Sequence, residues 1–409
     1  MKGKFSFVLL VALVASSAYA SGSKPVVANT FVCYGDPSQM LGTCPDGNVP
    51  NSLIQGSDGN FYGTTEFSAS GEVSTSAGTV FSVTPASKFT LLHTFVAGAN
   101  GIFANGASPV SLTEGPDGKL YGLAQGGSGV LFRIGKTGTG FKVIHRFCSA
   151  ANCSDGSGGV GALVVGKDGK FYGATNEGGI GCSGVGCGTI FRVTPSSGAY
   201  EVVATFSSDV TGFPYGLTPA PDGTFYGLTA NGASLFHFVP ATGELQSMTL
   251  SFPFPSGCGT FACFATGTLA FGPNGNLYGL YTEYDFGDSG LFEVETDGND
   301  LHLYPLYNST LSGGGPAGLV LGSDGNFWIP GASGGNGNGD VVALSPSDGK
   351  VVRTFAPFGT SAPVGASPSS LLQAKDGTVW GTTSQDGIVS KGHFGGGTVY
   401  SLNAGLPPR

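Results

Sequence analysis

Asp58-Gly59-Asn60-Phe61-Tyr62-Gly63 is a phrase that returns six more times along the chain, at Asp117, Asp168, Asp222, Asn274, Asp324 and Asp376. The steps between copies are 59, 51, 54, 52, 50 and 52 residues. A fixed period near 50 marks a repeat architecture, in which each unit is one supersecondary element that cannot bury its apolar face alone. The phrase itself reads as a tight turn entering a strand. Asp-Gly between apolar runs is a strong hairpin signal, because Gly adopts positive φ without steric penalty.

Around each turn the sequence predicts four strands, a to d. In the first copy these are Asn51 to Gln55, Asn60 to Thr65, Gly78 to Thr84 and Phe89 to Phe95. Strand c recurs at 131–134, 190–193, 235–238, 291–294, 341–344 and 399–402. Strand d recurs at 141–147, 200–206, 245–252, 301–307 and 351–355. Four antiparallel strands in about 50 residues match one propeller blade per repeat. The predicted fold is all-β, a seven-bladed β-propeller. A leucine stands five residues before each turn (Leu53, Leu112, Leu163, Leu217, Leu269, Leu319, Leu371), always preceded by a small residue. Blades converge on the axis, so small side chains belong on the innermost strand.

The seventh repeat ends at strand c, Gly397 to Leu402, with no strand d after it. Val26-Val27-Ala28-Asn29-Thr30-Phe31 resembles strand d of the second repeat, and Cys33 follows it as Cys148 follows that strand. Residues 26–32 are therefore expected to complete the seventh blade by pairing with 397–402. A ring sealed this way leaves no open seam. The domain plan is a leader, 1–20, and one propeller over 21–409.

Lys2 and Lys4, the apolar run from Phe5 to Ala15 and the small-x-small site Ala18-Tyr19-Ala20 read as a secretory signal cleaved after Ala20. The run is too short for a membrane span, which takes about 20 residues. Secretion to the extracellular space or periplasm is the expected localisation. Losing the two lysines with the leader takes the formal net charge from −9 to −11. Such a chain lacks the basic footprint of a nucleic-acid binder. It is expected to be a monomer with no membrane span in its mature form.

Eight cysteines suit an oxidising compartment. They fall into four local couples, Cys33/Cys44, Cys148/Cys153, Cys182/Cys187 and Cys258/Cys263, which are read as disulfides. Zinc knuckles have other spacings. The Asp-Gly turns carry one acid each, whereas a calcium loop needs several converging oxygens. No metal and no cofactor is expected.

Asp58-Gly59-Asn60-Phe61-Tyr62-Gly63-Thr64-Thr65 followed by Gly78-Thr79-Val80-Phe81-Ser82-Val83-Thr84-Pro85 resembles the GloVer-type extracellular tandem-repeat proteins of bacteria. The resemblance covers nearly the whole mature chain. It implies secretion and a propeller-like repeat fold, but no known reaction and no catalytic residues. The sixth repeat departs from the pattern, with Trp328-Ile329-Pro330 in place of Tyr-Gly-Thr.

In this topology the b–c and d–a connections share one face. The long connections, 66–77, 96–108, 148–160, 176–187, 207–215, 253–266, 282–289, 356–368 and 384–396, all lie there. Function concentrates on variable loops held by a rigid scaffold, so this loop face is the candidate surface. His93, His145, His237 and His302 fall in strands and read as structural; His393 alone falls in a b–c loop and is a candidate general base. Carboxylates at Glu66, Asp209, Glu283, Asp285, Asp288 and Asp386 share the face, as do the aromatics Phe103, Phe213, Tyr215, Tyr281 and Tyr284. The first expectation is an extracellular binding module for a polysaccharide or surface protein, with Phe213, Tyr215, Tyr281 and Asp386 as contacts. The alternative is a polysaccharide lyase or glycoside hydrolase with His393, Glu283, Asp285 and Tyr284 as its acid–base set. A third is a structural envelope or matrix protein. No zinc-binding HExxH or phosphate loop is present.

Overall fold

Each Asp-Gly turn closes on its own hydrogen bonds. In the computed structural model, Gly59 has φ +83. Its N–H donates to Gly56 O at 3.0 Å, and Gly56 N–H donates to Asn60 O at 2.8 Å. Asp58 Oδ1 accepts the Asn60 N–H, and Asp58 Oδ2 accepts the Tyr62 hydroxyl at 2.7 Å. The acid of the phrase thus ties the turn to the strand that follows it. Asp117–Tyr121 and Asp168–Tyr172 repeat the bond, and Asp324 receives the Trp328 indole N–H instead.

The structure describes residues 24–36, 41–67, 76–96, 103–180, 186–207, 212–229, 234–250, 263–283, 289–306, 318–331, 339–355, 358–359, 363–385, 387 and 393–409. The expected leader and its cleavage site lie outside them. The strands are β1 (Val26–Asp36) and β2 (Leu41–Thr43), then blade by blade. Blade I holds β3 (Asn48–Gln55), β4 (Phe61–Phe67), β5 (Ser76–Val83) and β6 (Phe89–Val96). Blade II holds β7 (Ala107–Glu114), β8 (Leu120–Gln125), β9 (Val130–Ile134) and β10 (Lys142–Arg146). Blade III holds β11 (Ser157–Val165), β12 (Phe171–Glu177), β13 (Thr189–Thr194) and β14 (Ala199–Thr205). Blade IV holds β15 (Thr218–Pro219), β16 (Phe225–Leu228), β17 (Ser234–Val239) and β18 (Glu244–Thr249). Blade V holds β19 (Cys263–Phe271), β20 (Leu277–Glu283), β21 (Ser289–Val294) and β22 (His302–Leu306). Blade VI holds β23 (Val320–Leu321), β24 (Phe327–Gly331), β25 (Asp340–Leu344) and β26 (Val351–Phe355). Blade VII holds β27 (Ala366–Gln373), β28 (Val379–Gln385) and β29 (His393–Leu402).

Every blade is an antiparallel sheet in the order a-b-c-d. The a strands touch one another in sequence, β3 to β7, β11, β15, β19, β23, β27 and back to β3, so they form the inner wall of a closed seven-bladed ring. β1 supplies the missing d strand. Val26 pairs with Ser401, Val27 with Tyr400, Asn29 with Val399 and Thr30 with Thr398. β2 then adds a fifth strand outside β1, which the repeat pattern does not predict.

Among the described residues, seven apolar clusters fill the ring. One contact recurs through it. The second glycine of the turn phrase faces the aromatic residue of strand c: Gly63 faces Phe81, Gly122 Phe132, Gly173 Phe191, Gly227 Phe236, Gly279 Phe292 and Gly381 Tyr400. In each case a Cβ on the glycine would overlap the ring. Blade VI exchanges both partners together, pairing Ile329 with Val342. The departure of the sixth repeat is therefore a swap of volume across one strand pair.

Small residues before the leucine also have a direct cause. A Cβ on Gly216, which precedes Leu217, would come 3.3 Å from the Gly161 Cα, so blades III and IV meet backbone to backbone at their inner edge.

Candidate functional site

The heads of the inner strands on the loop face share a backbone corner. Val49, Ser108, Phe213 and Ser367 have φ of 57, 47, 63 and 56, and a proline follows each. In blade III, Gly158 with φ 65 takes the same place before Gly159. Positive φ is uncommon outside glycine, and for β-branched Val49 it is an outlier. Packing between blades holds the corner. The Cδ of Pro109 occupies the space a Cβ on Gly78 would need, 2.5 Å away, and Pro50 and Pro214 stand likewise over Gly397 and Gly188 at 2.7 and 2.8 Å. Asn51 Nδ2 donates to Pro109 O at 3.0 Å, and Ser369 Oγ donates to Pro50 O at 2.8 Å. In blades I, III and VII the glycine near the start of strand c is thus the seat of the next blade's proline. The corner residues themselves are half-buried and differ in chemistry: valine, serine, glycine, phenylalanine, serine.

Behind the corner, hydroxyl pairs clamp strands b and c. Thr65 and Thr79 Oγ1 lie 2.8 Å apart, Thr175 and Thr189 2.9 Å, and Thr383 and Thr398 3.0 Å. Thr79 donates on to Asp46 O at 3.1 Å, and Thr398 to Val364 O at 2.7 Å. These carbonyls belong to the loop ends that lead into strand a, so the clamp fixes the rim.

Disulfides pin the same face. Cys33–Cys44 and Cys148–Cys153 are formed. Cys187 is also in a disulfide; its expected partner Cys182 lies outside the described residues, as does Cys258. Cys263 opens β19. The Cys187 carbonyl accepts the Phe213 N–H at 2.7 Å, which ties that corner to the bridge. Next to Cys148–Cys153, Asp155 accepts Ser149 Oγ at 2.6 Å, Ser149 N–H at 3.0 Å and Ala150 N–H at 3.1 Å, and its Oδ2 lies 3.1 Å from His145 Nε2. His145 stacks on Tyr200, with ring centroids 3.6 Å apart. The serine bonds the carboxylate and not the imidazole, so this is a loop lock rather than a nucleophile–base pair.

The sequence-predicted residues divide. Phe213 stands at a rim corner. Tyr215 is half-buried, its N–H donating to Leu228 O at 2.9 Å, and burial pushes its hydroxyl pKa up. Tyr281 is 3 % exposed and packs in the cluster of Leu228, Leu269 and Leu277, so its ring faces the core between blades. His393 is the first residue of β29 and not a loop residue. It pairs with Tyr34 of the closing strand β1, and the two rings meet edge to face at 4.6 Å. Glu283 ends β20. Tyr284, Asp285 and Asp386 lie outside the described residues, as do Asp209 and Asp288. Burial raises the carboxyl of Glu66. Among the described residues no His, Cys, Asp or Glu cluster could hold a metal ion. No helix among them is long and apolar enough to cross a membrane. Val49, Ser108 and Ser367 were not singled out from the sequence. Their signal was a proline three residues before the leucine in four repeats.

Residues 38–239 match the family model described as the Gloeobacter/Verrucomicrobia repeat. No curated protein matches the sequence. Among solved structures, the chain is similar to virginiamycin B lyase from Staphylococcus aureus, in a catalytically inactive form with quinupristin, at 13 % identity and TM-score 0.56, over 87 % of this chain and 95 % of that one. It is similar to an oligogalacturonate lyase in complex with manganese at 12 % identity and TM-score 0.55, over 95 % and 98 %. A fungal alcohol oxidase in complex with copper gives 12 % identity and TM-score 0.57, over 93 % and 79 %. At these identities the likeness shows the propeller fold alone.

Proposed function

The chain carries the Gloeobacter/Verrucomicrobia repeat on a closed, disulfide-bearing ring, and from that premise we propose that it is an extracellular binding module whose loop-face rim takes a polysaccharide or a surface protein. The observation that carries this reading is the repeated corner at the heads of the inner strands. Its backbone is constant, and its side chain varies from blade to blade through Val49, Ser108, Gly158, Phe213 and Ser367. A fixed frame with interchangeable side chains is how rigid scaffolds carry recognition. Phe213 offers an aromatic face to a sugar or peptide, and the rim corners carry no charge. The reading includes secretion, with the leader removed after Ala20, and a monomeric mature chain. The acid–base alternative draws no support from the described residues, since Glu283 and His393 sit on blades V and VII, which are not neighbours.

The test is a glycan array together with capture of isolated surface proteins, using residues 21–409. Phe213→Asn and Val49→Asn keep a residue type that tolerates positive φ. Binding that is lost in both variants at unchanged melting temperature supports the rim. Binding that survives both, or that is abolished only by changes on the Asp-Gly face, removes it.

A further inference from the structure

The clamp that ties strands b and c on the loop face has a different chemistry in blade VI. At the positions of Thr79, Thr189 and Thr398 stands Asp340, and at those of Thr65, Thr175 and Thr383 stands Gly331. In the threonine blades the strand c N–H also donates to the facing hydroxyl, at 3.1, 3.0 and 3.0 Å. Gly331 has no side chain to accept or return such a bond. Asp340 is 9 % exposed, and its Oδ1 is buried with no hydrogen-bond partner among the described residues.

A buried carboxyl without a cation or donor beside it favours its neutral form. Besides Asp340, the strands within blade VI and β27 hold one charged side chain. β24 and β27 have none, and Arg353 of β26 pairs opposite Ala343 and donates to Ala404 O at 2.7 Å, away from the Asp340 end. On the blade V side β20 and β21, whose Tyr278, Leu280 and Leu291 cluster with Val342 and Leu344, carry Glu283 and Glu293. On the blade VII side β29, whose Tyr400 and Leu402 cluster with Val341 and Ala343, begins at His393. Burial alone pushes the Asp340 pKa up, to about 6.

We propose that Asp340 is a proton-operated latch on the loop face of blade VI: the neutral acid fits the closed end of strands b and c, and the carboxylate loosens it. The protein would then present a tighter blade VI in a mildly acidic medium than in a neutral one, whatever ligand the rim takes. The sign follows from linkage. A raised carboxyl pKa contributes stability that is fully present below the ordinary carboxylate range and is lost as pH rises through about 6.

The experiment compares the native chain with Asp340→Asn and Asp340→Thr from pH 4 to 8. It reads the unfolding midpoint and the hydrogen exchange of peptides covering 327–331 and 340–344. Both variants should melt several degrees above the native chain at pH 7.5, and the three curves should converge near pH 4. Exchange in blade VI, corrected for the intrinsic pH effect, should rise across pH 6 in the native chain only. A native-minus-variant difference that stays constant from pH 4 to 8 would overturn the latch. So would a divalent cation that raises the native midpoint at pH 7.5 and leaves both variants unmoved, since the charge would then be met by a metal and not by a proton.

Discussion

The ring of Phe132 lies on the backbone of Gly122, its cross-strand partner, so closely that a Cβ at 122 would sit 2.5 Å from Phe132 Cζ and 2.5 Å from Ser111 O. Two separate phrases of the repeat, the turn phrase and the strand c phrase, therefore describe the two halves of one contact.

Gly122→Ala should destabilise the chain by about 1–3 kcal/mol, the usual result of forcing atoms into a filled core. Phe132→Val creates space and should cost about 3–4 kcal/mol by itself. Together, the two changes should be less damaging than their sum, because blade VI already pairs Ile329 with Val342 at this position. Denaturant unfolding of the four-member mutant cycle measures the coupling. Strict additivity would mean the two residues do not share the space.

Blade V should resist restoration of its turn acid. Asn274 stands where all six other blades accept a turn bond through Asp, and Glu293 of strand c supplies the carboxylate instead. Glu293 accepts Asn274 Nδ2, Asn276 Nδ2 and the Tyr304 hydroxyl, all at 2.7 Å. Burial works to raise its pKa, but these bonds outweigh burial and hold it low. Asn274→Asp replaces a donor with a like charge and should destabilise by about 1.5–3 kcal/mol at pH 7. The loss should shrink as pH falls into the carboxylate range, which thermal melts at pH 7 and pH 4 would register.

His93 makes blade I acid-sensitive. Its ring stacks on Phe141 at 3.8 Å between centroids, and its Nε2 is buried with no partner among the described residues. Burial lowers its pKa to about 4. A depressed histidine leaves stability intact above its unfolded value near 6.5 and withdraws it as pH falls toward 4. The withdrawal is roughly 2–3 kcal/mol by pH 4. His93→Phe should remove that part of the acid slope and leave the melt at pH 7.5 within a degree or two. An unchanged acid slope would place the sensitivity elsewhere.

Closure by β1 is testable through Phe31. It is fully buried, with ring centroids 5.2 Å from Phe81 and 5.7 Å from Phe89, so the closing strand also packs on blade I. Phe31→Ala should cost about 3–5 kcal/mol. Cys33→Ser with Cys44→Ser, which frees an 11-residue separation, should cost about 2–3 kcal/mol in the loop-entropy view. Guanidinium titrations of the two variants would measure both losses; native-like midpoints would show that the ring holds without its clasp.

Much of the fold was legible because its causes are local. Asp-Gly followed by an aromatic strand specifies a hairpin within six residues, and seven hairpins at one spacing leave a ring of blades as the economical arrangement. The spare strand at 26–32 was readable because the seventh repeat lacks one. The candidate site was less legible. His393 reads as a loop residue until the pairing of β29 with β1 draws it into a strand beside Tyr34. Tyr281 reads as a loop-face contact until neighbouring blades close over it.

Sequence alone settled the repeat, the blade count and the segment that completes the ring, since turn chemistry and strand alternation act over a few neighbouring residues. Only the tertiary structure decided which glycine seats which ring or proline, which residues stand at the rim, and that Asp340 Oδ1 meets no partner among the described residues. Those outcomes depend on contacts across strands and between blades, and a side chain's surroundings there are set by residues 15 to more than 300 positions away, as for Ser369 and Pro50.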